Sequence, residues 1–382
     1  MRNDRNLVRI FFIAIFLSGC AAPVGTISIS PEPPDASATR TPFLLANDTP
    51  APTSDTPPSA TTESDTLTPT GTIIPSRQVT LEAVGDIMLA RTVGDQVQAP
   101  GPQTIFAGVQ PVFDSADVLV GNLECAITDS GERQPKSYTF AAPLETAQAL
   151  ALAGFDVLSL ANNHAMDYGS QGLFNTRDNL GQYGIASVGA GANAAGAHAP
   201  VILERNGLQL AFLAYVDVPV EKDGFDARTW IASASQPGVA WAELDQITTD
   251  VGAARLQSDI VIVQLHSGYE VGNYIPTISP NQRAEAHAAI DAGAALVLGS
   301  HPHILQSIEQ YHVGLIAYSL GNFVMDDYQG IANATIILRV VLTRAGVQSY
   351  DWVPVLIENG LPRLATEGEA PAIGTLIAPM NP

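Results

Sequence analysis

From Gln78 onward, short apolar runs alternate with stretches of helical periodicity, and this alternation restricts the fold more than any other feature of the chain. Val79–Gly85, Asp117–Gly121, Asp156–Ala161, Leu208–Val216, Asp259–Leu265, Ala295–Gly299 and Val313–Ser319 are rich in Val, Ile, Leu and Ala, and turn residues bound most of them. Runs of this length and composition read as buried strands. Leu144–Ala153, Asn175–Tyr183, Trp241–Leu256 and Pro280–Ala292 read as helices between them. Strands alternating with helices imply α/β layers. Near the C-terminus, Ala332–Arg344 and Val347–Ile357 flank an Ala345-Gly346 turn and predict an antiparallel hairpin added to the sheet. Residues 78–365 show no repeat and no break in composition, so they read as one elaborate domain, larger than the usual single core. Residues 366–382 are rich in Pro, Gly and Ala and predict an irregular segment that packs on the sheet or trails free.

The residues before Gln78 follow other rules. Arg2, Arg5 and Arg9 precede the apolar run Ile10–Leu17, which is far shorter than the roughly 20 residues needed to span a bilayer. A charged start and a short apolar core mark residues 1–20 as a secretory signal, removed rather than folded. Its ending, Leu17-Ser18-Gly19-Cys20, resembles a bacterial lipobox, in which Cys20 is acylated and becomes the first mature residue. The alternative is an ordinary signal peptide with an incidental cysteine. The expected location is therefore extracytoplasmic, with a membrane anchor through the N-terminal lipid. Residues 21–77 hold 11 of the 27 prolines and 12 threonines and show no periodicity, as expected of an extended, solvated tether.

Charge and cysteine content exclude several functions. With 38 acids against 17 bases, a formal charge of −21, the chain would be repelled by phosphate backbones, so a nucleic-acid partner is not expected. Two cysteines exclude a multi-disulfide framework and a four-cysteine zinc site, so any metal would need His, Asp, Glu or Asn ligands. With Cys20 lipidated, Cys125 stands alone and reads as a small buried hydrophobe rather than a reactive thiol.

Polar residues gather where the strands end. Asp86 follows the first strand and Asn122 and Glu124 the second; Asn162-Asn163-His164 follow the third. His266 and then His301-Pro302-His303 follow two later strands. Ligands and catalytic groups of open α/β sheets collect at the carboxyl ends of strands. Taken singly, such an Asp or Asn is more often a turn-former, and a lone His more often a satisfied polar residue. Their conjunction in order along the chain carries the signal. Oxygen donors with imidazoles and no thiolate suit Mn, Zn or Fe, and a shared donor would allow a two-metal site.

Several motifs resemble those of the CapA family, the capsule or poly-γ-glutamate biosynthesis proteins. They are Gly85-Asp86-Ile87-Met88-Leu89 with Arg91, Gly121-Asn122-Leu123-Glu124, Asn162-Asn163-His164 with Asp167 and Gly169, His266-Ser267-Gly268-Tyr269-Glu270, Gly299-Ser300-His301-Pro302-His303 and Ser319-Leu320-Gly321-Asn322-Phe323. The family is similar to the calcineurin-like metallophosphoesterases, which implies a four-layer α-β-β-α sandwich and two divalent metal ions. The resemblance implies that Asp86 and His303 hold the first metal, and Asn163, His266 and His301 the second. It implies that His164, grouped with Asp167, is the general acid, that a metal-activated water is the nucleophile, and that Arg91 orients an anionic group.

Three departures bear on this reading. Met88 stands where the phosphoesterase pattern has a histidine ligand, and either Asn122 or Glu124 must serve as the bridging donor; an anion suits a bridge between dications better, which favours Glu124. Ser267 stands where the family often has a tryptophan, so an altered stacking wall of the pocket is expected. Two functions follow: a metal-dependent hydrolase or transferase acting on an anionic polymer or phosphoester, or a non-catalytic accessory lipoprotein of a membrane polymer synthase complex.

Overall fold

The computed structural model describes residues 77–270, 277–326 and 328–377. The expected signal, Cys20 and the tether up to Ser76 lie outside them. Two sheets form the framework. The first orders its strands Leu361–Leu364, Gly346–Glu358, Ala334–Thr343, Gln78–Ile87, Val118–Leu123, Val157–Ser159 and Ala186–Val188, with Asn322–Val324 pairing at the end of Gln78–Ile87. The pairs from Gln78–Ile87 through Ala186–Val188 are parallel; those on the other side are antiparallel. The expected hairpin is there, closed by Gly346 at φ 106°. The second sheet runs Ile308–Tyr311, Gly314–Ala317, Leu296–Ser300, Ile260–Ser267, Leu208–Asp217 and Val201–Arg205, with parallel strands at its centre and an antiparallel strand on each edge.

Side-chain alternation along the second sheet builds the layers. Leu208, Leu210, Phe212, Ala214 and Val216 enter the large central core, as do Ile260, Ile262, Leu296 and Leu298. Their neighbours Ala211, Leu213, Tyr215, Val261, Val263 and Val297 face the other way, into a second core. That core is closed by Ile247, Val251 and Ala254 of helix Leu244–Arg255 and Ala286, Ala289 and Ile290 of helix Pro280–Asp291. Ser279 and Gln282 cap the latter helix reciprocally. Helices Arg91–Gln98, Thr146–Ala153 and Gly169–Gln182 give Val93, Val97, Ala147, Leu150, Leu173 and Leu180 to the central core. Helix, sheet, sheet and helix make the four-layer α/β sandwich.

The last described residues are more ordered than the Pro, Gly and Ala content of this tail predicts. Ala370–Gly374 is helical and a 3-10 turn follows, burying Ile373 and Ile377. Among the described residues, no helix is long and apolar enough to cross a membrane.

Candidate metal centre

The parallel strands of both sheets deliver their carboxyl ends to one place. Register pairs Asp86 with Asn122 and Asn122 with Ser159 in the first sheet, and His266 with Ser300 in the second. Close approach at these ends requires glycine. A Cβ on Gly85 would lie 1.8 Å from the Gly321 carbonyl oxygen, and one on Gly299 would lie 1.9 Å from that of Tyr318. Six described non-glycine residues have positive φ, and Arg91, His301 and His303 are three of them. Backbone strain of this kind collects at functional sites, where the surrounding packing holds it.

Asp86 and Glu124 are fully buried, and His266, His301 and His303 nearly so. Their donor atoms form two groups, each within 4.8 Å: Asp86, Glu124 and His303, and Glu124, His266 and His301. Glu124 is common to both. Asn163 Oδ1 lies 2.8 Å from His266 Nε2 and so joins the second group. Asn122 has a different task. Its Nδ2 donates to Asp86 Oδ1 at 2.8 Å and its Oδ1 accepts from Asn162 Nδ2 at 3.0 Å, so it orients the aspartate while Glu124 holds the shared position. Asn162 also accepts the His164 backbone N–H at 3.0 Å, which shapes the turn that aims Asn163 inward.

Whether these residues fit metal ions is decided by their unmet demand. Both carboxylate oxygens of Glu124 and Nδ1 of His301 are buried without a hydrogen-bond partner. Unpaired buried polar atoms cost free energy, and a cation among them removes that cost. Burial and the Asp86 charge push the Glu124 carboxyl well above its ordinary range. Burial depresses the His301 imidazole to about 4 and holds His266 well below its usual value, leaving both neutral, as ligands must be. His303 goes the other way: burial lowers it, but Glu124, Asp86 and Glu270 together outweigh burial and raise it to about 10. Without an ion, a proton on His303 supplies the positive charge that the carboxylates require. Asn322 Oδ1, 2.8 Å from His303 Nδ1, orients that ring. The donor set fits metal binding.

Beside the metal-type donors, His164 Nδ1 lies 2.8 Å from Asp167 Oδ2, which also accepts the Phe140 N–H at 2.7 Å. The carboxylate can only accept, so Nδ1 is the donor and Nε2 is the ring atom left for the pocket. The ring stacks on Phe140 with centroids 4.2 Å apart, and the Arg91 guanidinium lies 5.0 Å from the other ring's centroid, that of Phe140. Arg91 is paired with Asp326. Arg91, Asn163, His164, His301 and His303 all line one cavity of about 690 Å³, with Tyr138, Phe140, Tyr269 and Tyr328 among its walls.

One reading from sequence changes here. Ser267 is not on the cavity wall; it is buried and hydrogen-bonds to Glu285, so the expected loss of a stacking surface at that position does not arise. Met88 is packed in the core with its sulfur accepting the Ala90 N–H at 3.2 Å. Burial pushes the Cys125 thiol up to about 12, which makes it inert. His198 and His287 pair with Asp250 and Glu309 elsewhere, as their position off the strand ends predicts. Sequence reasoning missed Lys136, whose side chain is wholly buried against Asp167 and Glu221. Its position in a loop with no strand-end signal gave no cue.

Comparison with known proteins adds one decisive observation. Residues 80–327 match the family described as bacterial capsule synthesis protein PGA_cap. The chain belongs to this family. It is 33% identical over 299 residues to the capsule biosynthesis protein CapA of Bacillus anthracis, covering 76% of this chain and 70% of that one. It is also 33% identical over 284 residues to the PGA biosynthesis protein CapA of Bacillus subtilis, covering 73% and 72%. A probable polyglutamine synthesis accessory protein of Mycobacterium tuberculosis is 35% identical over 264 residues, covering 65% and 67%. The family match takes in every strand-end donor from Asp86 to His303.

Proposed function

We propose that this chain is an extracytoplasmic, lipid-anchored protein of capsule or poly-γ-glutamate biosynthesis, and that its buried centre carries out metal-dependent hydrolysis or transfer at an anionic linkage. The observation that carries this reading is Glu124: one buried carboxylate common to two donor groups, with neither oxygen satisfied. Asp86, Glu124 and His303 would hold one ion and Glu124, Asn163, His266 and His301 the other. Such ions supply Lewis acidity and positive charge for a developing oxyanion.

The chain's own residues do the rest. His164, oriented by Asp167, keeps Nδ1–H on that carboxylate and faces the cavity with Nε2; as the imidazolium it would give its Nε2 proton to the leaving oxygen and return to the Nδ1–H form. Phe140 holds the imidazole plane and shields that side from water. Arg91 on the cavity wall orients an anionic group, with Asp326 fixing its guanidinium. The wall also carries Asp217, Glu221, Asp223 and Glu270, which repel a polyanion, so an anionic polymer would be held only locally, by Arg91 and bound metal, and its binding would be salt-sensitive. The likeness to proteins named for capsule and PGA biosynthesis supports the polymer assignment.

Purified full-length protein should carry about two equivalents of transition metal and hydrolyse an aryl phosphate or a γ-glutamyl polymer in a metal-dependent way. His164→Ala should lower turnover by about 10²–10⁴-fold while metal content stays the same. Protein that takes up no transition metal refutes the catalytic reading. A second reading, a non-catalytic accessory of a membrane polymer synthase, is favoured by Met88, whose core-packed sulfur leaves a ligand position unfilled, and by the relative named as an accessory protein. Full metal loading with no turnover on either substrate class would select it.

A further inference from the structure

Lys136 is a charged group beside the centre that the family resemblance leaves without a role. Its Nζ lies 2.9 Å from Asp167 Oδ1 and 2.5 Å from Glu221 Oε1, and it donates to the Asn163 carbonyl oxygen at 2.6 Å. Three oxygens surround the ammonium, the Asn163 carbonyl as a hydrogen-bond acceptor and the two carboxylates as ion-pair partners. The rings of Trp230 and Phe225 approach to 5.0 and 5.7 Å. A lysine is rarely buried this fully without being matched partner by partner.

The three partners belong to three parts of the site. Asp167 orients His164, Asn163 carries a metal-type donor, and Glu221 stands on the cavity wall. The neighbouring Ser137 N–H donates to Asp223 on the same wall, so two loops are joined twice. Asp167 Oδ2 already serves His164 and Phe140, whereas Oδ1 has no hydrogen-bond donor and faces the Lys136 ammonium. Without that cation Oδ1 would be a bare anionic oxygen in a buried site. Turning toward another donor would then disturb the bond to His164.

We propose that Lys136 is a positioning residue: it holds Asp167 Oδ1, so that Oδ2 stays on His164 Nδ1 and Nε2 faces the cavity, and it fixes the Glu221 wall against that pair. The inference rests on the reading of His164 as the group that moves a proton. Its first test does not need turnover. Long-range proton–nitrogen correlation on full-length protein labelled in its histidines, with His164→Gln assigning the signal, reads the tautomer directly. Wild type should show His164 protonated at Nδ1. Lys136→Met should shift it toward Nε2–H or a mixture, and Lys136→Arg should restore it.

In metal-loaded protein with an aryl phosphate, K136M should lower kcat about tenfold or more, in the range seen when partners behind an active group are removed, and should raise KM as well because the Glu221 wall is released. The K136M/D167N double variant should be no slower than D167N, because both act through one carboxylate. A folded K136M with an unchanged His164 tautomer overturns the proposal, as does a double variant whose losses multiply. If wild type shows no turnover, the catalytic reading fails while the tautomer result still decides the role of Lys136. If K136M does not fold, Glu221→Gln replaces it: KM should rise with the tautomer unchanged, and an unaltered KM overturns the wall contact.

Discussion

Glu124→Gln separates the metal-binding explanation of this site from a purely structural one. In the metal-free protein neither oxygen of Glu124 has a hydrogen bond to lose, and the imidazoles of His266 and His303 approach Oε1 only to 3.6 and 3.9 Å. Replacing the carboxyl by an amide of the same shape should then move the melting temperature by no more than about 2 °C, or about 1 kcal/mol in a domain of this size. With metal the outcome differs. An ion at 100 times its Kd stabilises wild type by about 2.7 kcal/mol, or about 4–5 °C for each ion in a domain of this size. Glu124 is the only carboxylate in both donor groups, so its loss weakens both. A roughly hundredfold loss of affinity brings the same free metal down to its Kd, where the gain is about 0.4 kcal/mol. Thermal melts with and without Mn or Zn, paired with elemental analysis, read both arms. The reasoning fails if E124Q keeps the wild-type metal-induced shift, or if it melts far below wild type without any metal.

Two further outcomes follow from burial and close packing. Gly85→Ala should cost more than about 4 kcal/mol, because its Cβ would meet the Gly321 carbonyl oxygen at 1.8 Å and that backbone also accepts the Asp86 N–H; a soluble variant with a wild-type denaturation curve and full metal content contradicts this. Burial raises the Glu285 carboxyl to about 8, above the unfolded value, so the folded state keeps a proton that the unfolded state has released between about pH 4.5 and 8. Stability should fall as pH rises through that window, and Glu285→Gln should flatten the fall by up to a few kcal/mol; denaturant titrations at pH 5 and pH 8 that keep the wild-type slope would contradict it.

Much of the fold was readable because burial leaves a mark on local composition. A strand buried on both faces is largely apolar, and the runs Leu210–Val216 and Ile260–Val263 within strands Leu208–Asp217 and Ile260–Ser267 are. The short strands Ala186–Val188 and Asn322–Val324 left no such mark, because pairing with neighbours, not their own composition, makes them strands. The donors were visible for a related reason: where a parallel strand stops, its polar residues face the edge of the sheet. Lys136 lay beyond that logic. A lysine in a Pro-containing loop reads as solvated, and only the closure of the Asp167 and Glu221 carboxylates around it makes burial affordable.

The sequence by itself determined the α/β alternation, the set of strand-end donors and their order, since each depends on residues close together in the chain. Tertiary structure brought the donors together in the two groups that the family resemblance implies. It made Glu124 the shared carboxylate and Asn122 its neighbour's hydrogen-bond donor, although the two are separated by a single residue. It turned Ser267 away from the cavity toward Glu285. The physical reason is common to all three: a side chain's role at a buried site is set by which charges and hydrogen-bond partners other strands bring within a few ångströms, and local sequence does not contain that information.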